Sequence, residues 1–88
     1  MKNVIWGTGL YACEFAYAMR SRGEIAFFID NNKDKQGKLF MGKKIMSPDD
    51  VEDWNDLYLY IPYNYYDEIV EQLKVYGLTD ETHFQKYD

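Results

Sequence analysis

Apolar runs of two kinds alternate along this chain. Residues 3–6 and 25–29 are short and β-prone, and residues 57–61 are apolar throughout, as expected for a parallel strand covered on both faces. Residues 10–22 and 64–76 carry apolar side chains at helical spacing. The order of these runs predicts strands separated by helices, which is typical of a parallel sheet.

Turn and cap residues set the predicted ends of these elements. Gly23 and Gly77 are expected to end the two long helices, and Asn64 is expected to cap the second one. Residues 31–44 read as a loop with two glycines, and residues 44–46 as a short third strand.

Two shorter elements complete the prediction. Ser47 has the features of an N-cap, followed by a proline, and predicts a short helix that ends near Trp54. The tail adds an edge strand near residues 82–84. Right-handed crossovers then give an α/β fold: an open, mostly parallel sheet of four to five strands flanked by helices. The first strand lies in its centre, between the second strand and the strand at residues 57–61.

Length and composition limit the function classes. With 88 residues, we expect a single domain over residues 1–88, which can also be a segment of a longer protein. A net charge of −5 argues against nucleic acid or an anionic membrane as the main partner. No signal peptide or transmembrane span is recognisable. Cys13 is the single cysteine, so no internal disulfide can form and we expect the protein to lie in the reducing cytoplasm. With His83 as the single histidine, we expect no zinc site built from cysteine and histidine.

A G-x-G-x-x-A motif at residues 7–12 directly follows the first strand and opens the first helix. Its two glycines permit a tight turn and the close approach of a ligand, and Ala12 leaves room for close helix packing. We expect the N–H groups of Gly9, Leu10 and Tyr11 to bind a phosphate, aided by the helix dipole. The alternative is a turn that only connects strand and helix.

Asp30 ends the second strand about 20 positions after the glycine motif. Its carboxylate is suited to accept hydrogen bonds from a ribose 2′-OH or a base N–H. The alternative is a turn aspartate that starts the following loop. The loop that follows contains Lys33, Lys35 and Lys38. These lysines either hold a phosphate of the ligand or form an ordinary solvent-exposed face.

The segment after the strand at residues 57–61 is expected to form the third wall of the crevice. Tyr63 and Asn64 are the predicted ligand contacts there, rather than Tyr65. Cys13 and His83 have no partners at catalytic spacing, so neither is predicted to be catalytic. The residues therefore predict a binding site and no catalytic group.

Five segments together resemble a known family. They run in the same order as in the sugar-nucleotide-binding amino-terminal domains of bacterial sugar O- and N-acyltransferases, and are also similar to the carboxy-terminal domain of sugar C-methyltransferases. The segments are residues 4–9, 28–32, 35–38, 42–50 and 61–69. The resemblance implies a three-layer, Rossmann-like fold that serves bacterial surface-polysaccharide synthesis.

The resemblance also implies a nucleotide-sugar pocket, with transfer chemistry in an attached domain. Carried over by position, its residues are Gly7, Thr8, Gly9, Asp30, Asn31, Pro62, Tyr63 and Asn64. A nucleoside diphosphate sugar is therefore the expected ligand. The alternatives are an NAD(P)-binding fragment of an oxidoreductase and an interaction module that has lost its ligand.

The predicted first helix, residues 10–22, is apolar almost all the way round. A surface helix normally carries one apolar stripe, so this helix is expected to be covered on more than one side. We therefore expect a homo-oligomer or an attached enzyme domain to pack against it.

Overall fold

The computed structural model describes all 88 residues and forms a six-stranded sheet with two α-helices. The strands are Lys2–Trp6 (β1), Ile25–Ile29 (β2), Leu39–Phe40 (β3), Lys43–Met46 (β4), Leu57–Pro62 (β5) and Phe84–Tyr87 (β6). The helices are Leu10–Met19 (α1) and Tyr66–Leu73 (α2). Neither helix has the length and apolar character needed to cross a lipid bilayer.

The strand order in the sheet is β3-β4-β2-β1-β5-β6. All neighbouring pairs are parallel except β3 with β4. The predicted α/β class and the central place of the first strand, between β2 and β5, are therefore confirmed. The chain moves outward from β1 in one direction and then in the other, so the strand order reverses beside β1.

The two helices pack against opposite faces of the sheet. On one face, Ile69 and Leu73 of α2 join a core that includes Val4. On the other face, Ala12 of α1 joins a core that includes Ile5. Successive side chains of β1 alternate between the two cores because a strand has a period of two residues. Val4 and Ile5 have no exposed surface.

The sheet has six strands, one more than the four to five predicted, and the additional strand is β3 at one edge. A short hairpin forms inside the predicted loop, where β3 pairs antiparallel with β4 across a turn at Met41 and Gly42, both with positive φ. Two residues are too few to leave a period-two pattern. The closing strand begins at Phe84, later than predicted, and residues 81–83 form a 3₁₀ turn.

Both long helices are shorter than predicted. The first ends at Met19, well before Gly23, because Arg20 and Arg22 continue as turns bonded to Tyr17 and Met19. The second begins after a 3₁₀ turn at Tyr63–Tyr65, so Asn64 is not its cap. A further 3₁₀ turn, Lys74–Tyr76, leads to Gly77, whose φ of 80° confirms the predicted stop.

The predicted helix after Ser47 is also divided. Ser47 does cap it, since its Oγ accepts from the Asp49 N–H at 3.3 Å, but only Pro48–Asp50 form a 3₁₀ turn. A second turn, Trp54–Asp56, has its own cap in Asp53. Two caps in ten residues give two separate turns because each starts a new set of backbone bonds.

Candidate functional site

A cavity of about 510 Å³ lies at the carboxyl ends of β1, β2 and β5, where the strand order reverses. Open α/β sheets bind ligands at this place because the two crossover connections leave a crevice there. Nine of the ten predicted site residues line it: Gly7, Thr8, Gly9, Leu10, Tyr11, Asp30, Asn31, Pro62 and Asn64. Tertiary structure thus brings three distant segments of the chain to one cavity.

The tenth predicted residue, Tyr63, does not line the cavity, whereas Tyr65 does. Both side chains are about half exposed. They lie in a 3₁₀ turn, in which three successive side chains point in three different directions. The sequence pattern alone did not show which of these directions faced the cavity.

The amino terminus of α1 forms one wall of the cavity and presents unpaired backbone N–H groups. Gly9 is the N-cap and offers no capping side chain, and the first turn contains no acid. No backbone carbonyl or side chain accepts a bond from the N–H groups of Gly9, Leu10 or Tyr11. By contrast, the Gly7 N–H donates to the Ile29 carbonyl at 2.7 Å, which ties the turn to β2. The free donors make this end of the helix suited to an anion.

Asp30 is held in place by two bonds to its carboxylate. The buried Thr8 hydroxyl donates to Oδ2 at 2.7 Å, and the Asn32 backbone N–H donates to Oδ1 at 2.9 Å. The second bond is the one that a turn aspartate makes to the backbone two residues later. Asp30 therefore does start the loop after β2, as the alternative interpretation of this residue predicted. This role does not exclude a ligand, because each carboxylate oxygen can accept a further hydrogen bond.

The charged side chains of the lining are few. Of the lysines between β2 and β4, only Lys35 lines the cavity. The lining also contains two acidic residues, Asp30 and Glu68 of α2. Asn31 and Gln72 lie across from each other and exchange two amide hydrogen bonds of 2.9 Å each. This pair joins the loop after β2 to α2. Glu68 and Gln72 were not predicted as site residues, since each fits an ordinary solvated helix position.

Tyr87 at the end of β6 also lines the cavity and was missed by the sequence analysis. Its hydroxyl donates to the Trp6 carbonyl at 3.1 Å, and its ring stacks on Phe15 with centroids 4.4 Å apart. Burial raises the pKa of Tyr87 to about 12. Its place depends on the parallel pairing of β6 with β5, where it lies opposite Pro62. No local signal in the tail indicates this pairing.

Polar and apolar side chains together line the cavity. Cys13 and His83 lie outside its lining, and no group of three or more potential metal-ligating side chains occurs in the chain. Hydrogen-bond donors and acceptors line the cavity beside the exposed side chains of Leu10, Tyr11 and Tyr65.

Comparison with known proteins gives one match. Neither the curated proteins nor the solved structures include a significant match to this chain. A family model described as C2185-like, N-terminal, matches residues 1–83. The matched part contains β1 to β5, both helices and every lining residue of the cavity except Tyr87. The chain therefore belongs to the C2185-like N-terminal family.

Proposed function

We propose that this domain binds a nucleoside diphosphate sugar, or its nucleotide part, in the cavity beside β1, and that it serves bacterial surface-polysaccharide synthesis. The observation that carries the proposal is the row of unpaired N–H groups from Gly9 to Tyr11, which opens into this cavity. Water can accept from such a row in the free chain, and a diphosphate supplies several oxygens that can take its place.

The charges of the two helix starts favour one place for the diphosphate. The first turn of α1 has no acidic residue, whereas that of α2 has Asp67 and Glu68. The partial positive charge at a helix amino terminus attracts phosphate, and carboxylates in the same turn counteract this attraction. We therefore assign the diphosphate to α1 and not to α2.

Asp30 is the proposed contact for the nucleoside. Its carboxylate is oriented by Thr8, and it lies at the end of the strand next to β1. An acid at this position is suited to bind ribose hydroxyls, which donate hydrogen bonds to it. The proposal includes a three-layer, Rossmann-like architecture, supported by the two helices on opposite faces of the sheet.

We propose that transfer chemistry lies in an attached domain or a partner enzyme. The description of the family as an N-terminal domain supports a place within a longer chain. On α1, Leu10, Tyr11 and Tyr17 are exposed by 70%, 56% and 61%. This apolar surface supports contact with a second copy of the chain or with such an enzyme domain. The same surface also favours the alternative of an interaction module without a ligand.

Calorimetry with the intact 88-residue chain tests the proposal. The panel contains uridine, thymidine and guanosine diphosphate sugars, with NADH and NADPH as rival ligands. We expect saturable binding of one nucleotide-sugar class and none of the dinucleotides. Binding of NADH or NADPH alone would replace the proposal with an oxidoreductase fragment. If no ligand bound at millimolar concentration, the interaction module would remain.

A further inference from the structure

The two helical walls of the cavity differ in what they offer a ligand. The α1 wall presents backbone N–H donors and no acid in its first turn. The α2 wall presents the Glu68 carboxylate, with Asp67 beside it in sequence. An ionised carboxylate only accepts hydrogen bonds and repels anions. A ligand group that lies against Glu68 is therefore favoured if it donates hydrogen bonds and carries no negative charge.

The polar side chains of the α2 wall are spaced for a group with several hydroxyls. Asn64, Glu68 and Gln72 all line the cavity; Glu68 and Gln72 lie four residues apart on α2, and Asn64 lies in the 3₁₀ turn before it. On a helix, residues four apart share a face and lie one above the other, about 6 Å apart. The buried Ile69 lies in the same wall. The wall therefore carries amide and carboxylate groups beside the apolar side chain of Ile69.

Tyr65 adds an apolar face to this wall. Its side chain lines the cavity and is 54% exposed, so its ring is accessible to a ligand. A tyrosine combines an apolar ring with a polar tip. A sugar ring has C–H groups on its faces and hydroxyls at its edge, so it matches an aromatic ring next to hydrogen-bonding side chains.

We infer that the α2 wall is the sugar subsite, in which Tyr65 contacts the face of an uncharged hexose and Glu68 accepts hydrogen bonds from its hydroxyls. This inference rests on the proposed function, which places the diphosphate at α1. The amides of Asn31 and Gln72 bond to each other at 2.9 Å in the ligand-free chain. They supply further donors and acceptors when the sugar separates them.

Paired calorimetry of a nucleotide with and without its sugar tests the subsite. The pairs are UDP and UDP-glucose, dTDP and dTDP-glucose, and GDP and GDP-mannose. For the nucleotide that binds, we expect the sugar to strengthen binding about tenfold, the effect of one hydrogen bond to a charged group. Glu68→Gln is expected to remove most of this gain. Its affinity for the nucleotide alone is expected to stay the same or rise, because a negative charge is lost.

Glu71→Gln is the matched control. Glu71 lies on the same helix, outside the cavity lining, and pairs with Lys74 at 2.8 Å. It is expected to keep the full gain from the sugar. Equal binding of nucleotide and nucleotide sugar by the natural chain would overturn the subsite and leave nucleotide binding intact. An equal loss in both variants would overturn it as well. Absence of any binding would remove the proposed function together with the subsite.

Discussion

The Thr8 hydroxyl donates to Oδ2 of Asp30 at 2.7 Å, and this bond joins the turn after β1 to the chain that leaves β2. Thr8 is only 7% exposed. Thr8→Val keeps the shape of the side chain but leaves Asp30 with one fewer donor. We expect it to lower the free energy of unfolding by about 1–2 kcal/mol, measured by urea denaturation.

Thr8→Ser is the control for this bond, since it keeps the hydroxyl and removes only a methyl group. We expect Thr8→Ser to retain most of the stability that Thr8→Val loses. If the two variants were equally destabilised, packing of the methyl group and not the bond to Asp30 would be the cause.

The two glycines of the turn are expected to respond differently to alanine. Gly9 has a φ of −90°, and a Cβ there meets no atom within 4 Å, so Gly9→Ala should change the free energy of unfolding by less than about 1 kcal/mol. Because Gly9 lines the cavity, the added methyl group should hinder a ligand that approaches the backbone at the α1 amino terminus. Calorimetry is expected to show lost nucleotide binding by a folded protein.

Gly7→Ala provides the contrast. Gly7 has a φ of +109°, a region that other residues rarely adopt. We expect this variant to lose about 1–3 kcal/mol of stability in the same denaturation experiment. Undiminished nucleotide binding by Gly9→Ala would show that no ligand approaches this part of the backbone.

Lys35 is the lysine of the loop that lines the cavity, and Lys38 lies outside the lining. We expect Lys35→Met to weaken nucleotide binding about two- to fivefold at low salt, the range of a solvent-exposed ion pair. The loss should shrink as salt is added, because the interaction is screened. Lys38→Met changes the net charge equally and should leave the affinity unchanged. If both variants weakened binding equally, the loop would attract the anionic ligand through its overall charge and not through Lys35 in particular.

Burial raises the pKa of Tyr87 to about 12, above its value in the unfolded chain. A raised folded-state pKa stabilises the fold below about pH 10, and this contribution is lost as the pH rises towards 12. We expect Tyr87→Phe to be less stable than the natural chain at neutral pH, where it lacks the bond to Trp6. Between pH 10 and 12 the stability of the natural chain relative to Tyr87→Phe should fall by about 2 kcal/mol, enough to cancel or reverse the difference seen at neutral pH.

Urea denaturation of both proteins across this pH range checks the prediction. Burial also raises the pKa of Tyr60, Tyr66 and Tyr76, and these residues are present in both proteins. Comparison of the two profiles therefore isolates Tyr87. If the two curves of unfolding free energy against pH stayed parallel up to pH 12, the pKa of the Tyr87 hydroxyl would be the same in the folded and the unfolded chain.

The fold was predictable where local pattern and tertiary structure agree. The apolar runs of β1, β2 and β5 are long enough to be recognised, and right-handed crossovers then give their order. The hairpin of β3 with β4 and the start of β6 were missed or misplaced, because each depends on pairing with a neighbouring strand. The ends of α1 and α2 were misplaced because α1 passes into hydrogen-bonded turns after Met19 and 3₁₀ turns flank α2.

The candidate site divides in the same way. Glycines that follow a strand and an acid that ends the next one are local features, so Gly9 and Asp30 were identified from the sequence. Tyr87 reaches the cavity from the far end of the chain and carries no such signal. The choice of Tyr65 over Tyr63 depends on the geometry of one 3₁₀ turn.

Thus the sequence by itself determined the α/β class, the central position of β1 and the glycine turn with unpaired donors. These follow from periodicity, crossover handedness and the conformations open to glycine, all of which act over short stretches of chain. Only the tertiary structure decided which side chains share the cavity. Glu68, Gln72 and Lys35 meet there because packing of α2 and the loop after β2 against the sheet sets their directions, and no local rule contains that information.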